Sequence, residues 1–339
     1  MSSGTSIEWT DATWNPIRAR VLREAGPGRA GWHCEKVSPG CANCYAERFN
    51  GRGLPNGGTR LSYTKGSRAQ VETFVDEDVL REPLRWRKPR RVFVESMSDL
   101  FGEWVSDEQL DRVFAVMELA PRHTFQVLTK RPERMLQYFR SEEELWGSRW
   151  PRAVQLLVGE YGPTPFPLHN VWLGVSVEDQ ARADERIPLL LDTPVAMRFL
   201  SCEPLLGPVS IERALCSCPW PEDAMRSRHN LACRADTRRP DDPRRWAGID
   251  WCIIGGESGP GARPCDVAWI RSIVEQCRAA GAACFVKQLG AKPITDHRTR
   301  PAGEDWTWTS LVRDRKGGAP SEWPEDLRVR EFPREAVRS

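Results

Sequence analysis

The segment that decides the fold is residues 91–129, which read RVFVESMSDLFGEWVSDEQLDRVFAVMELAPRHTFQVLT. Its two ends, Arg91–Ser96 and Thr124–Leu128, are short and almost continuously apolar, as buried parallel strands are. Between them, Asp107–Leu119 carries apolar residues at helical spacing, and Ser106 is placed to cap its first turn. The segment therefore predicts a strand, a helix and a second strand parallel to the first.

The same alternation continues along the rest of the chain. Four further apolar runs predict strands at Val171–Val175, Met197–Leu200, Trp251–Ile254 and Cys284–Lys287. Helical patterns lie at Gln180–Leu191 and at Asp266–Ala280, and Gly281 stops the second of them. This alternation indicates an α/β fold with a parallel sheet. The number of units predicts a full or partial (β/α) TIM-like barrel of about six to seven parallel strands.

Each predicted strand ends in polar residues, at the edge where the active site of a barrel lies. The strand ends carry Ser98-Asp99, Thr129-Lys130-Arg131, Ser176-Val-Glu178, Ser201-Cys202-Glu203, Gly255-Gly256-Glu257 and Lys287-Gln288. Any one of these clusters is typical of a loop that caps the next helix. Together they favour one functional polar rim at the carboxyl ends of the strands.

A second feature is a group of three cysteines within eleven residues, Cys34, Cys41 and Cys44, spaced C-x6-C-x2-C. Pro39 and Gly40 suit the tight turn that would bring the thiols together. Three thiolates from one loop can bind three corners of a [4Fe-4S] cube and leave the fourth iron open to a substrate or a cofactor. A closed structural zinc site takes four protein ligands, and this loop offers only three good ones.

Other interpretations of these cysteines stay open: free thiols, half of a split zinc site, or a disulfide with one spare thiol. The chain has eleven cysteines, an odd number, and its first residues lack the apolar region of a secretory signal. A disulfide framework is therefore disfavoured. A reduced, cytoplasmic protein is expected, in which clustered cysteines more often indicate metal or redox chemistry.

The composition of the 339 residues is that of a globular protein, with 40% apolar residues and a net charge of +2. No stretch approaches the length of about eighteen apolar residues that predicts a membrane span. The small net charge argues against a global attraction to nucleic acid, but local basic runs lie at Arg85–Arg91 and between Arg226 and Arg245. Fifteen tryptophans offer aromatic surface that could stack on bases.

Several motifs of the chain resemble those of one known family. They are Trp14-Asn15-Pro16-Ile17-Arg18, residues 37–47 (VSPGCANCYAE), 93–101 (FVESMSDLF), 125–132 (FQVLTKRP), 172–178 (WLGVSVE), 198–207 (RFLSCEPLLG) and 255–264 (GGESGPGARP). The family is that of the phage- and prophage-associated three-cysteine-motif proteins of unknown function, and the resemblance covers most of residues 6–290. Its layout is similar to that of radical S-adenosylmethionine (radical-SAM) enzymes, especially the spore photoproduct lyase branch.

In that branch a Thr-Asp replaces the usual Gly-Gly-Glu, and a Thr-Lys ends the next strand. Ser98-Asp99 and Thr129-Lys130 occupy those places here. The chain departs from the pattern in its cysteine loop, which is three residues longer than the usual C-x3-C-x2-C, and in Asn43, which replaces an aromatic residue. Insertions also lie at about 19–31 and 212–245. The longer loop leaves the geometry of a cluster open.

The resemblance implies a [4Fe-4S] cluster on Cys34, Cys41 and Cys44, and a bound S-adenosylmethionine that yields a 5′-deoxyadenosyl radical. The residues that it places at this cofactor are Ser98 and Asp99 for the ammonium, Lys130 or Arg198 for the carboxylate, Ser176 and Glu178 for the ribose, and Gly255 and Gly256 beside the adenine. Cys202 could return a hydrogen atom to a substrate radical, as a cysteine does in the lyase branch. The alternative for Cys202 is a small buried core residue.

The insertion at 212–245 carries a second metal hypothesis. Cys216, Cys218, His229 and Cys233 have a C-x-C…H-x3-C spacing that could bind zinc and stabilise a polar segment. The alternative is that these cysteines are free thiols.

Two functions follow from the sequence. The first is a radical-SAM iron–sulfur enzyme that acts on a nucleic acid or a nucleotide, served by an electron-donor protein and a partner protein encoded alongside it. The alternative is a non-catalytic, zinc-binding protein that interacts with nucleic acid, in which Cys41-x2-Cys44 and Cys216-x-Cys218 supply four thiolates. The barrel is expected to span residues 1–290. An extension at 291–339 is expected to pack on it, with an added strand at Asp326–Phe332.

Overall fold

The computed structural model describes residues 5–22, 29–52, 57–144, 149–159, 166–215, 248–294 and 312–333, with the backbone alone at 141–144. Its strands are β1 (Ala12–Trp14), β2 (Ile17–Val21), β3 (Ala30–Gly31), β4 (Val71–Val75), β5 (Arg91–Val94), β6 (Thr124–Thr129), β7 (Val171–Ser176), β8 (Met197–Cys202), β9 (Trp251–Gly255), β10 (Cys265–Asp266), β11 (Ala283–Gln288) and β12 (Pro293–Ile294). Its α-helices are α1 (Tyr45–Arg52), α2 (Lys65–Arg68), α3 (Glu77–Leu80), α4 (Glu82–Arg85), α5 (Asp107–Leu119), α6 (Pro132–Glu144), α7 (Arg149–Val158), α8 (Gln180–Leu191), α9 (Glu212–Leu215) and α10 (Val267–Ala280).

Seven strands form one parallel sheet in the order β1, β5, β6, β7, β8, β9, β11. Apart from the strands of two small sheets, each strand pairs with the next one along the chain. For example, Arg91 of β5 lies opposite Thr124 of β6. This is the strand order of a partial (β/α) barrel. The prediction of an α/β fold with a parallel sheet is therefore confirmed.

The apolar runs mark the strands well. All six strands predicted from them are present, with ends within two residues of the prediction. The seventh strand, β1, is not predicted, because a pattern of three residues is too short to recognise. Both faces of β7 are buried along its whole length, which explains why its sequence is continuously apolar rather than alternating.

The helix ends follow the expected capping chemistry. The Ser106 side chain accepts from the Gln109 backbone N–H, and the Gln109 side chain accepts from the Ser106 N–H, so α5 begins with a complete capping box. Asp266 caps α10, which ends at Gly281 with a φ of 65°, in the left-handed region that favours glycine. Among the described helices, none has the length and apolar composition that crossing a membrane requires.

A small antiparallel sheet is formed by two strands that precede Cys34 and one strand that follows Cys44. Its order is β3, β2, β4, and Ile17 of β2 lies opposite Val75 of β4. The predicted insertion at 19–31 therefore forms strands at both of its ends, while residues 23–28 lie outside the described part of the chain. Cys34 lies three residues after the end of β3, so this sheet fixes where the cysteine loop starts.

The chain divides into two compact units. Unit one holds residues 1–174 and 192–196, and it contains Cys34, Cys41 and Cys44 together with β5 and β6. Unit two holds residues 175–191 and 197–339, and it contains β8, β9 and β11. The predicted division into a barrel at 1–290 and an extension at 291–339 stays a prediction.

The described part of the tail packs within unit two. Arg330 forms an isolated antiparallel bridge with Phe285 of β11, and the Val286 N–H donates to the Val329 carbonyl at 2.8 Å. A short 3-10 helix occupies Glu325–Leu327. The expected strand at Asp326–Phe332 is thus reduced to one bridge, because the preceding residues are helical.

Candidate functional site

The cysteine loop of unit one is shaped by a short 3-10 turn at Pro39–Cys41. The Cys41 N–H donates to the Ser38 carbonyl at 3.0 Å, and the Ala42 N–H donates to the Pro39 carbonyl at 3.1 Å. This is the turn that Pro39 and Gly40 predict. Cys44 directly precedes α1. Cys34 and Cys44 therefore lie at the two ends of the loop, and Cys41 lies at its turn. All three thiols are free and half-buried.

The three thiols lie within electrostatic reach of one another. Burial raises the pKa of the Cys34 thiol, the Asp99 carboxylate raises it further, and the Arg131 guanidinium lowers it. Smaller contributions that raise the same pKa come from the other two thiols, Cys44 and Cys41. The loop therefore brings the three sulfur atoms into one neighbourhood beside the strand ends of unit one.

The same neighbourhood holds a second cation. Burial raises the pKa of the Cys44 thiol, while the backbone N–H groups of Glu47 and Ala46 and the Lys130 ammonium lower it. Lys130 thus lies near Cys44 as Arg131 lies near Cys34. A thiolate formed at either position is stabilised by a positive charge that follows β6.

Asp99 is the hydrogen-bonding hub of this region. Its carboxylate accepts from the Thr129 hydroxyl at 2.7 Å and from the Phe101 N–H at 3.1 Å. It also accepts from the Lys130 N–H at 3.0 Å and from the Arg131 guanidinium at 3.3 Å. A carboxylate offers about four lone-pair positions for hydrogen bonds, so these four bonds occupy all of them. The expected contact of Asp99 with a cofactor ammonium would have to displace one of them.

The residues after β5 are tied to the cysteine loop and its surroundings. The Ser98 hydroxyl donates to the His33 carbonyl, next to Cys34. The Tyr45 hydroxyl donates to the Ser96 carbonyl at 2.6 Å, and the Asn15 side chain accepts from the Met97 N–H at 3.0 Å. The structure therefore brings Ser98, Asp99 and Lys130 together with the three cysteines, while their roles toward a cofactor stay predictions.

The cysteine loop supplies three thiols as donors. Within the described residues, no group of three or more His, Cys, Asp or Glu side chains is arranged to hold a metal ion. One tetrahedral ion with metal–sulfur bonds of about 2.3 Å would need sulfur atoms only about 3.8 Å apart. In a [4Fe-4S] cube each thiolate binds a different iron, so the sulfur atoms stand farther apart. Three half-buried thiols with two cations nearby match that donor chemistry.

The metal hypotheses that involve the insertion concern residues outside the described part of the chain. These residues are Cys216, Cys218, His229 and Cys233. Neither the insertion zinc site nor the four-thiolate site with Cys41 and Cys44 gains or loses support from the geometry.

In unit two, Glu178 lies in a buried ion pair. Its carboxylate accepts from Arg186 of α8 at 3.0 Å, and both side chains are almost completely buried. The same Arg186 nitrogen donates to the Ser176 carbonyl at 2.9 Å. These contacts connect the end of β7 to α8, and the ribose contacts expected of Ser176 and Glu178 stay predictions.

Arg198 and Cys202 share one face of β8, and that face is directed toward helices. The Arg198 guanidinium donates to the Leu190 carbonyl of α8 at 3.1 Å. Burial raises the pKa of the Cys202 thiol, and nearby Cys277 of α10 raises it further. Side chains two residues apart point to the same side of a strand. The structure thus places both residues in the helix-facing layer, where Cys202 has the surroundings of a buried core cysteine.

Gly255 and Gly256 are approached closely by the chain itself. A Cβ on Gly256 would lie 2.2 Å from the Leu289 carbonyl oxygen, and one on Gly255 would lie 3.3 Å from the Gln288 side chain. Glycine is therefore required at Gly256 by the neighbouring backbone. A role of these glycines beside an adenine stays a prediction.

Some polar residues near the strand ends were not predicted to contact a cofactor. The first is Arg131, and its position directly after Lys130 is the signal that could have identified it. The others lie in unit two, where the Lys287 ammonium is 2.6 Å from the Glu203 carboxylate and the Gln288 amide is 3.3 Å from the same oxygen. The strand-end pattern predicts Glu203, Lys287 and Gln288 as part of the polar rim, but it does not predict their contacts with one another.

Fold and site together define a mixed α/β protein with a seven-stranded parallel sheet and a three-cysteine loop at the strand ends of unit one. The model of the family described as protein of unknown function (DUF5131) matches residues 4–309, so the chain belongs to that family. No curated protein and no solved structure matches the chain. The family description assigns no activity.

Proposed function

We propose that the protein is a radical-SAM-like iron–sulfur enzyme in which Cys34, Cys41 and Cys44 bind one [4Fe-4S] cluster. The observation that carries the proposal is the gathering of three free, half-buried thiols beside the ends of β5 and β6. With S-adenosylmethionine bound, such a cluster supplies a 5′-deoxyadenosyl radical for hydrogen abstraction. The parallel α/β sheet and the motifs of the cysteine loop support the same class.

The residues around the loop supply charge and shielding. Three thiolates bring negative charge into a half-buried place, where an uncompensated charge is unfavourable. Lys130 and Arg131 lie where they offset that charge at Cys44 and Cys34. Partial burial of the thiols limits the access of water to whatever they bind.

Asp99 supports the cofactor site mainly by orienting its neighbours. Its four hydrogen bonds fix the backbone of Phe101 and of Lys130, the hydroxyl of Thr129 and the guanidinium of Arg131. The bond from Asp99 fixes the Lys130 backbone, and the Lys130 side chain is the proposed partner of the carboxylate of S-adenosylmethionine. In this proposal the side chains of Ser98 and Lys130 contact the cofactor. Asp99 does not contact it but orients the neighbouring residues through its hydrogen bonds.

Anaerobic reconstitution with iron and sulfide, followed by reduction with dithionite and addition of S-adenosylmethionine, tests this function. The expected result is a brown protein that absorbs near 400 nm and releases 5′-deoxyadenosine. The Cys44→Ala variant should fail in both, whereas Cys265→Ala, which removes a buried cysteine of unit two, should behave like the wild type. A colourless protein that purifies with zinc would overturn the proposal in favour of the zinc-binding alternative.

The favoured substrate class is a nucleic acid or a nucleotide, and one described surface supports it. Arg85, Arg87 and Lys88 are exposed before β5, and the Arg90 guanidinium lies 5.1 Å from the centre of the Trp86 ring. This surface precedes β5, whereas the cysteine loop contacts residues that follow it. The basic run would therefore hold a long nucleic acid at a distance from the cysteines, and the second run at Arg226–Arg245 lies outside the described residues.

Binding of DNA and RNA over a range of salt concentrations tests the substrate class. Phosphate contacts should make the affinity fall steeply as salt rises, and an Arg85→Ala/Arg87→Ala/Lys88→Ala variant should show a shallower slope. An absence of binding to both nucleic acids at low salt would favour a small molecule or a peptide as substrate. The tryptophans contribute little to this argument, because none of those in the described residues is exposed.

A further inference from the structure

Arg131 connects the cysteine loop to the ends of two strands. Only 11% of its side chain is exposed. One terminal nitrogen lies 3.3 Å from the Asp99 carboxylate, and the other donates to the Glu35 carbonyl at 2.9 Å. Glu35 directly follows Cys34, so this second bond holds the chain next to the first thiol.

The plane of the guanidinium also rests on an aromatic ring. The Arg131 guanidinium carbon is 4.6 Å from the centre of the Trp104 ring, and the His33 ring meets the same ring edge-on at 5.0 Å. The Trp104 ring lies against the backbone of Gly102. A Cβ on Gly102 would lie 2.3 Å from the Trp104 ring atoms, so glycine at that position makes the arrangement possible.

These contacts use properties that arginine alone has among the basic side chains. Its planar fork can donate in two directions and stack at the same time, whereas lysine carries one compact charge without a plane. Asp99 is fixed by three other donors, Thr129, Phe101 and the Lys130 backbone. Arg131 therefore links a rigid acceptor on the strand ends to a backbone carbonyl of the cysteine loop.

We propose that Arg131 is the positioning residue of the cysteine loop: it holds Glu35, and with it Cys34, against the strand ends, and it keeps a positive charge at the backbone next to Cys34. The first part concerns the protein alone. The second part rests on the proposed function, because it concerns the charge of a bound cluster. A reduced cluster is more negative than an oxidised one, so a nearby cation favours reduction.

Hydrogen exchange of the protein as purified, without added iron, tests the first part. In Arg131→Met, peptides that cover residues 33–44 should exchange faster by about tenfold or more, the effect of losing hydrogen bonds from a charged donor. Arg131→Lys should give an intermediate rate. Arg134→Met, which removes an arginine paired with Asp107 instead of the loop, should leave the loop unchanged.

Peptides from β9 in unit two serve as the internal reference. A rate at residues 33–44 that stays at the wild-type value in Arg131→Met, or that rises no more than the rate of β9, overturns the positioning role. If the Arg131→Met variant unfolds, the exchange rate of residues 33–44 in the Arg131→Lys variant is compared with the wild type and with β9 in the same way.

The reduction potential of the reconstituted cluster tests the second part. Arg131→Met should shift the potential to a more negative value, and Arg131→Lys should restore most of the difference. An unchanged potential in Arg131→Met overturns the charge role. If the wild type takes up no iron, the proposed function fails, while the exchange rates still decide the positioning role.

Discussion

Asp99 illustrates how a buried carboxylate at a strand end can organise a site through the groups that it orients. It accepts from a hydroxyl, two backbone N–H groups and a guanidinium. An asparagine has the same shape, but its NH2 group would face donors instead of accepting from them. The Asp99→Asn substitution therefore changes the charge and the hydrogen bonds at this position but not the shape of the side chain.

We expect Asp99→Asn to weaken the binding of S-adenosylmethionine by at least about tenfold, or about 1.4 kcal/mol. Isothermal titration calorimetry of the reconstituted protein measures this. Asp107→Asn is the matched control, because Asp107 pairs with Arg134 and Arg149. An affinity of Asp99→Asn equal to that of the wild type would remove Asp99 from the cofactor site.

Glu95 is a buried acid whose backbone lies in the left-handed region. It is 2% exposed, has a φ of 54°, and accepts from the Ile17 N–H at 2.8 Å through one oxygen. Its second oxygen has no hydrogen-bond partner among the described residues. Burial raises the pKa of Glu95 to about 8, with the Ile17 N–H and Arg18 opposing the rise.

This pKa predicts how stability depends on pH. Because the ordinary pKa is 4.5 and the folded value is about 8, the contribution of Glu95 is complete below pH 4.5. It is lost as the pH rises through about 8, since the unfolded chain ionises first. Urea unfolding across this range should show Glu95→Gln with a flatter profile than the wild type. The exposed Glu103→Gln is the control, and parallel profiles for wild type and Glu95→Gln would contradict the assignment.

At the scale of the element, β8 shows what a strand pattern does and does not reveal. The apolar run predicts the strand, and its end predicts which edge of the sheet Cys202 lies near. Which of the two faces packs against helices depends on neighbours such as Leu190 and Cys277, which are distant in sequence or on other elements. The position along the strand is thus predictable, and the facing direction is not.

The helix-facing position of Cys202 yields a prediction. Cys202→Ala should lower the free energy of unfolding by roughly 1 kcal/mol, because it removes a buried side chain from a packed layer. The iron content after reconstitution should stay at the wild-type value. Urea unfolding and iron analysis measure the two quantities. A variant with wild-type stability and no conversion of substrate would instead support the hydrogen-returning role.

At the scale of the whole molecule, the parallel α/β sheet is predictable because each strand and helix carries its own local pattern. The surroundings of the cysteines are not, since they depend on contacts across long stretches of chain. Ser98 reaches back 65 residues to His33, and Arg131 reaches back 96 residues to Glu35. No local pattern encodes such pairs, so the sequence identified the thiols and the strand ends separately.

The central claim is that Cys34, Cys41 and Cys44 bind the cluster, and the iron and sulfide content per chain after anaerobic reconstitution tests it most directly. The wild type should hold about four irons and four sulfides, as a [4Fe-4S] cluster requires. A variant with alanine at all three positions should hold none, whereas one with alanine at Cys216, Cys218 and Cys233 should match the wild type. About four irons retained in the first variant would contradict the account.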